Sequence, residues 1–403
     1  MPSLTCDDLP RDEVGRLLNV HCPGSLWQET LAQRFHDFDV GERLVYLNVG
    51  ANKGYNIAEF LSTWTNRRIS NKRWHSHVRD FGRSQHMLTL LRQHFLSCGV
   101  CKVCERPMSP ADTVPNRTAE VHAFELLPAN QQLLEHATRR AGLTDVVTIH
   151  RMAVSNVSGR TTFLTRARNV AGREDTKLCS GLSTYGGLRG ERQRCQIPKA
   201  DWKHGHAKFV PINVTTVDDF LDRKALRRAF IVSIDVEGFD ALVLEGMRRS
   251  IASHRVRIFE FEYSRKGFWA HRYPSETRSL AKMLRGWLSS SGFSCFWQTR
   301  SGRLVPVLAS CWERVLMSDP RAGGVTWSNV VCAREPGILA IFNARPVAAT
   351  ARDVLREQCD AAAQLRATKE ARDGGSASGG EKERRVCGLL GRAARKFFGR
   401  RLS

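Results

Sequence analysis

The sequence predicts an α/β fold in which a mostly parallel sheet carries helices on both faces. Three observations point there. Short apolar runs alternate with helical spacings between residues 43 and 332. Two of those runs end in features suited to the carboxyl end of a strand, a glycine turn at Gly50–Gly54 and a single acid at Glu125. A third run, FIVSI, ends at Asp235 and leads into a helix. Strand–helix alternation implies parallel strands joined by right-handed crossovers. Ligands on such sheets bind beyond the carboxyl ends, near the point where strand order reverses.

The elements follow in chain order. Residues 1–40 form a helical lead-in, with Leu17, Leu18, Trp27, Leu31 and Phe35 as packing residues. Arg43–Val49 is an apolar strand. Tyr55–Trp64 is a helix, because Ile57, Phe60, Leu61 and Trp64 fall on one stripe. Residues 66–118 read as an insertion holding a helix at Gln85–Leu96, a cysteine cluster at 98–104 and a proline-rich exit. Glu120–Phe124 is the second core strand. Pro128 suits the first turn of a helix reaching Arg140. Val146–His150 is a third strand, and Ala153–Leu164 reads as a hairpin about Asn156, Ser158 and Gly159. Residues 165–209 are a basic, glycine-rich loop. Val214–Leu221 leads into a short helix, Phe230–Ile234 is a buried strand and Ala241–Ile251 a helix. Val256–Phe261 is a strand and Leu280–Leu288 a helix. Phe293–Trp297, Leu304–Leu308 and Asn329–Cys332 close the sheet. The domain expected at 41–343 is followed by a basic, mostly disordered tail at 344–403, in which Val386–Phe398 has the pattern of a basic amphipathic helix.

Composition is that of a globular chain, with 42% hydrophobic and 25% charged residues in 403. The net charge of +22 is unusual, and its placement matters more than its size. Residues 66–118, 165–209 and 344–403 carry net charges of +7, +6 and +7, which leaves +2 for the rest. The basicity therefore lies in the two insertions and the tail. It suits an acidic partner or substrate, or solvated loops. No repeated basic–aromatic pattern favours nucleic acid. The first residues lack an apolar signal-type stretch, and no run is long enough to span a bilayer, so the expected compartment is the cytoplasm. Sequons occur at Asn116, Asn156 and Asn213.

The chemistry-bearing residues cluster at the expected strand ends. Gly50 and Gly54 let backbone approach a ligand where a Cβ would clash. Their spacing is not the GxGxxG of dinucleotide folds. Glu125 offers a carboxylate that can accept two ribose hydroxyls. Asp235 and Glu237 alternate after the buried strand, whereas Asp240 fits a helix N-terminus, where an acid complements the dipole.

These segments resemble the FkbM-type methyltransferases. The matching pieces are LNVGANKGYN, VHAFELLPANQQLL, VVTIHRMAVSNVSGRTTF, TTVDDFL, IVSIDVEGFDALVLEGM and IFEFEYS, in the family's order. The resemblance implies a class I methyltransferase (Rossmann-like) sheet and S-adenosylmethionine as methyl donor. It also implies hydroxyl-oxygen acceptors. Donor contacts would come from Asn48, Gly50, Asn52, Gly54 and Glu125, with Asp235 and Glu237 lining the active site. The sequence departs from the family at Asn48, where an acid is usual, and at Leu126, where AFEP has proline. A hydroxyl acceptor must lose its proton to a carboxylate or histidine. The candidates are Asp235 and Glu237, then Glu262 and His150.

Cys98, Cys101 and Cys104 stand at two-residue gaps. With a fourth ligand from His94, His86, Cys179 or Cys195 they suit a structural zinc. Free thiols or a disulfide are the alternatives. Three functional readings follow. The first is O-methylation of a hydroxyl on a glycan or small metabolite. The second is methylation of RNA through the basic insertions. The third is a nucleotide-fold binding protein without catalysis.

Overall fold

The computed structural model describes residues 26–34, 43–67, 69–84, 117–166, 207–236, 238–264, 283–298, 304–307 and 327–343. The strands are β1 (Leu44–Val49), β2 (Ala119–Phe124), β3 (Val147–His150), β4 (Ala153–Val154), β5 (Gly159–Arg166), β6 (Ala207–Thr215), β7 (Ala229–Ile234), β8 (Val256–Ser264), β9 (Ser294–Gln298), β10 (Leu304–Pro306) and β11 (Trp327–Ala333). The helices are α1 (Leu26–Arg34), α2 (Tyr55–Trp64), α3 (Asn71–Ser84), α4 (Pro128–Arg140), α5 (Val217–Arg223), α6 (Asp240–Glu245), α7 (Arg248–Ala252) and α8 (Pro336–Asn343). Among the described residues no helix is long and apolar enough to cross a membrane.

Eight strands form one sheet in the order β10-β9-β11-β8-β7-β1-β2-β3. The block from β3 to β8 is parallel, and β11 runs antiparallel to both its neighbours, β8 and β9. This is the class I methyltransferase sheet expected from the sequence. Strand order reverses between β1 and β7, so the cleft expected of an open α/β sheet opens there.

Alternation along each strand builds two cores. From β1, Leu44 and Tyr46 join α1 to α4 and α8 on one face. Val45, Leu47 and Val49 join α5 to α7 on the other. Burial on both faces explains why β1 and β7 read as near-continuous apolar runs.

Several elements differ from the sequence expectation. Ala153–Leu164 is not a hairpin: β6 lies between β4 and β5, and Val214 pairs with Ala153 on one side and Gly159 on the other. The local turn residues are real, but the distant strand wins the pairing. Ala241–Ile251 is two short helices, because Gly246 lies against Ser155, where a Cβ would come within 2.0 Å of the carbonyl oxygen. Residues 71–84, assigned to an insertion, form α3, whose Trp74, Val78 and Phe81 are buried in the first core. At the other edge of the sheet, Cys295 and Cys332 face each other in register and are joined by a disulfide. The helix expected at Gln85–Leu96, the basic loop and the tail lie outside the described residues, apart from the ends of β5 and β6.

His122 and His150 pair inside the second core. His122 Nδ1 lies 3.1 Å from His150 Nε2, and both rings meet Phe220 edge-on. Burial, then the charges of Lys224 and Arg43, lowers the His122 pKa to about 4. Burial, then His122 and Lys224, lowers that of His150 to about 4. The unfolded chain therefore binds protons that the folded chain refuses. Stability from this pair is complete above pH 6.5 and is lost as pH falls toward 4. Thermal melts from pH 7 down to pH 4.5 should show a falling Tm that His122→Leu/His150→Leu flattens. An unchanged slope in the double variant would remove the pair as its source.

Candidate functional site

The loop after β1 is tightly folded. Gly50, Asn52 and Gly54 alternate at positive φ, with values of 84, 46 and 77°. The amides of Gly50 and Ala51 both donate to the Phe124 carbonyl, and the Asp235 amide donates to the Val49 carbonyl at 2.9 Å. A Cβ on Gly50 would lie 1.9 Å from the Asp235 carbonyl oxygen, and one on Gly54 would lie 2.6 Å from Trp74 and 2.7 Å from Leu134. The room that both glycines leave is thus taken by the protein itself. It draws the ends of β1, β2 and β7 together and docks α3 and α4 beneath the loop. Trp74 Nε1 donates to the Lys53 carbonyl at 2.7 Å, and the Tyr55 hydroxyl lies 2.6 Å from His75 Nδ1. No sequence signal tied α3 to this loop.

Glu125 ends β2 and is buried. Its Oε2 accepts the Asn52 amide and its Oε1 the Leu127 amide, each at 2.8 Å. Burial raises its pKa, while the Leu127 and Asn52 amides, the Asn130 side chain and the Leu126 amide act in the opposite sense. The carboxylate is a clasp between the glycine loop and the start of α4. A ribose at this strand end would have to share it with those donors, since a carboxylate accepts about four hydrogen bonds.

Asn48 is 1% exposed, and among the described residues neither atom of its amide has a hydrogen-bond partner. It stands in register between Ala123 and Ser233, on the Tyr46 side of β1. Next to it a polar row crosses the sheet. Ser233 Oγ donates to Glu260 Oε1 at 2.8 Å, and Gln298 Nε2 donates to Glu260 Oε2 at 3.1 Å. An unsatisfied buried polar group costs about 1–3 kcal/mol. A donor molecule seated at the β1–β7 switch point would find in Asn48 an open donor and an open acceptor, so these residues fit a polar adenosyl ligand.

The candidate proton acceptors separate. Asp235 is exposed at the mouth, one register step beyond Ile234, and Glu237 lies outside the described residues. Glu262, on β8, is 9% exposed. His150 is sequestered with His122 beneath the sheet end. Asp240, whose place in the sequence suits a helix dipole, is fully buried and bonded to the Glu262 amide. His94, Cys98, Cys101 and Cys104 lie outside the described residues, among which no group of three or more His, Cys, Asp or Glu could hold a metal ion.

Comparison with known proteins adds a likeness to a family. Residues 97–295 match the model described as Methyltransferase FkbM domain. The match begins after β1 and its glycine loop. No curated protein matches the chain. Among solved structures, the methyltransferase FkbM from Methylobacillus flagellatus KT is 13% identical, with 76% of this chain and 47% of that one covered and a TM-score of 0.33. The METTL16 MTase domain is 8% identical, with 77% and 65% covered and a TM-score of 0.31. The O-methyltransferase from the trans-AT PKS multienzyme of Brevibacillus brevis, solved with S-adenosyl-L-homocysteine, is 7% identical, with 77% and 72% covered and a TM-score of 0.28. The chain spans about half the length of the first and just under two thirds of the second.

The two glycine contacts make a direct prediction. Gly142 also has positive φ, but a Cβ there would meet nothing within 4 Å, so Gly142→Ala carries the left-handed strain alone, about 1–2 kcal/mol. Gly50→Ala adds a clash with backbone and should cost about 1–3 kcal/mol more in urea denaturation. Equal losses would show that the Gly50–Asp235 contact relaxes freely.

Proposed function

We propose that the protein is an S-adenosylmethionine-dependent O-methyltransferase acting on a hydroxyl of a glycan or small metabolite. One observation carries the reading. The Glu125 carboxylate accepts the Asn52 amide of the β1 loop and the Asp235 amide donates to Val49 at the end of β1, which joins them into one rim at the β1–β7 switch point. The FkbM-domain match over residues 97–295 supports it independently.

Bound there, S-adenosylmethionine supplies a methyl group already activated on a sulfonium. The chain's own work is then mostly alignment. The Gly50–Gly54 backbone and Glu125 hold the adenosyl end. Asn48 meets a polar group of the methionine end. Asp235 and Glu237 line the acceptor side. A carboxylate among Asp235, Glu237 and Glu262 takes the proton that the acceptor oxygen must lose. The structural zinc stays a separate proposal for His94, Cys98, Cys101 and Cys104, decided by metal analysis of the purified protein.

Calorimetry should find S-adenosylmethionine binding that Glu125→Ala weakens at least about tenfold, near 1.4 kcal/mol. An unbound wild type would sink the methyltransferase reading. Methyl label from the donor, offered to extract separated into glycan, RNA, protein and lipid, should enter the glycan or small-molecule fraction at a rate insensitive to salt. Label entering RNA alone, with a steep salt dependence, would replace this acceptor class with the nucleic-acid reading.

A further inference from the structure

Asp240 opens α6 with no exposed surface, an unusual place for an acid on the first turn of a helix. Its contacts explain the position. Oδ2 accepts the Gly238 amide at 3.1 Å, and Oδ1 accepts the Glu262 amide at 3.2 Å. One carboxyl group therefore ties the turn that follows β7 to the end of β8. Both tied segments border the cleft: Asp235 begins the first, and the second carries Glu262, itself only 9% exposed.

A carboxyl group this far from water favours its neutral form. Burial, followed by the charge of Glu262, drives Asp240 well above the usual carboxylate range, and the backbone amides oppose this only in part. Of the two acids, Glu262 is the one that reaches some solvent, while Asp240 has no exposed surface.

We propose that Asp240 is a positioning residue that fixes Glu262 as the base of the reaction. The inference rests on the methyl-transfer reading above. In the step, the acceptor O–H bond breaks and its proton passes to a Glu262 carboxylate oxygen. The freed electron pair forms the oxygen–methyl bond, while the carbon–sulfur bond breaks with its pair left on sulfur. Asp240 touches none of the reacting atoms. It holds the Glu262 backbone so that the side chain meets the acceptor.

The test is a double-mutant cycle on full-length protein, read by methyl transfer into the extract fraction that the wild type labels. Glu262→Gln should slow transfer by about 100-fold or more, the scale of a lost general base. Affinity for S-adenosylhomocysteine, measured by calorimetry, should stay within about threefold. Asp240→Asn, which keeps the shape, should slow transfer by about tenfold. The double variant should be no slower than Glu262→Gln, because a residue acting through another has nothing left to act on. Losses that multiply, or a Glu262→Gln form with wild-type rate, overturn the proposal. A second measurement needs no acceptor. The infrared carbonyl band of a protonated carboxylic acid should be stronger in the wild type at neutral pH than in Asp240→Asn; equal bands in the two overturn the neutral, anchored Asp240 on which the proposal is argued. Failure of the wild type to bind S-adenosylhomocysteine would instead remove the methyl-transfer reading on which the proposal stands.

Discussion

The contact between Gly50 and the Asp235 carbonyl is the constraint on which the carboxyl end of the sheet depends. A Cβ at residue 50 would sit 1.9 Å from that oxygen. Only glycine lets the turns after β1 and β7 close to this distance, and its positive φ is the conformation that a side chain resists. Once the turns are closed, the Asp235 amide reaches the Val49 carbonyl and the Gly50 and Ala51 amides reach that of Phe124. Three parallel strands are then levelled at one height. Open α/β sheets place ligands at such a rim, so the same close approach that stabilises the turns also shapes the site.

Buried carboxylates are the second recurring device. Away from water an acid is tolerated when hydrogen bonds answer it. Glu125 clasps the Asn52 and Leu127 amides, and Asp218 accepts those of Arg249 and Ser250. Asp240 clasps those of Gly238 and Glu262. Each uses a carboxyl group to hold two backbone amides, at the glycine loop and the start of α4, in the first turn of α7, and at the turn after β7 and on β8. Asn48 is the contrast, a buried polar side chain without such a partner among the described residues, and it lies at the strand end where a ligand would meet it.

Much of this was legible in the sequence, for definite reasons. β1 and β7 are buried on both faces, so their apolar runs stand out, and Pro128 marks the start of α4. The glycine turn and Glu125 were visible because each punctuates a strand end. α3 was not visible, because its buried Trp74, Val78 and Phe81 are interleaved with Lys72, Arg73 and Arg79. The β4–β6–β5 arrangement was hidden because turn residues report local geometry, while Val214 lies far along the chain. The Cys295–Cys332 bond has no spacing pattern to betray it and becomes plain only when β9 and β11 are in register. Asp240 looked like a helix-dipole acid, since sequence position does not disclose burial.

The environments of the candidate acids differ in ways that their positions in the sequence did not disclose. Asp235 is exposed at the end of β7, where its backbone closes on the β1 turn. Glu262 is 9% exposed, and its backbone amide is held by the buried Asp240 carboxyl group. A base must be ionised before the reaction and accept a proton during it, and on the proposed reading a carboxylate with a held backbone and little exposure suits that task. On the same reading Asp235, which is exposed and whose carbonyl seals the Gly50 turn, suits recognition of the acceptor rather than proton transfer.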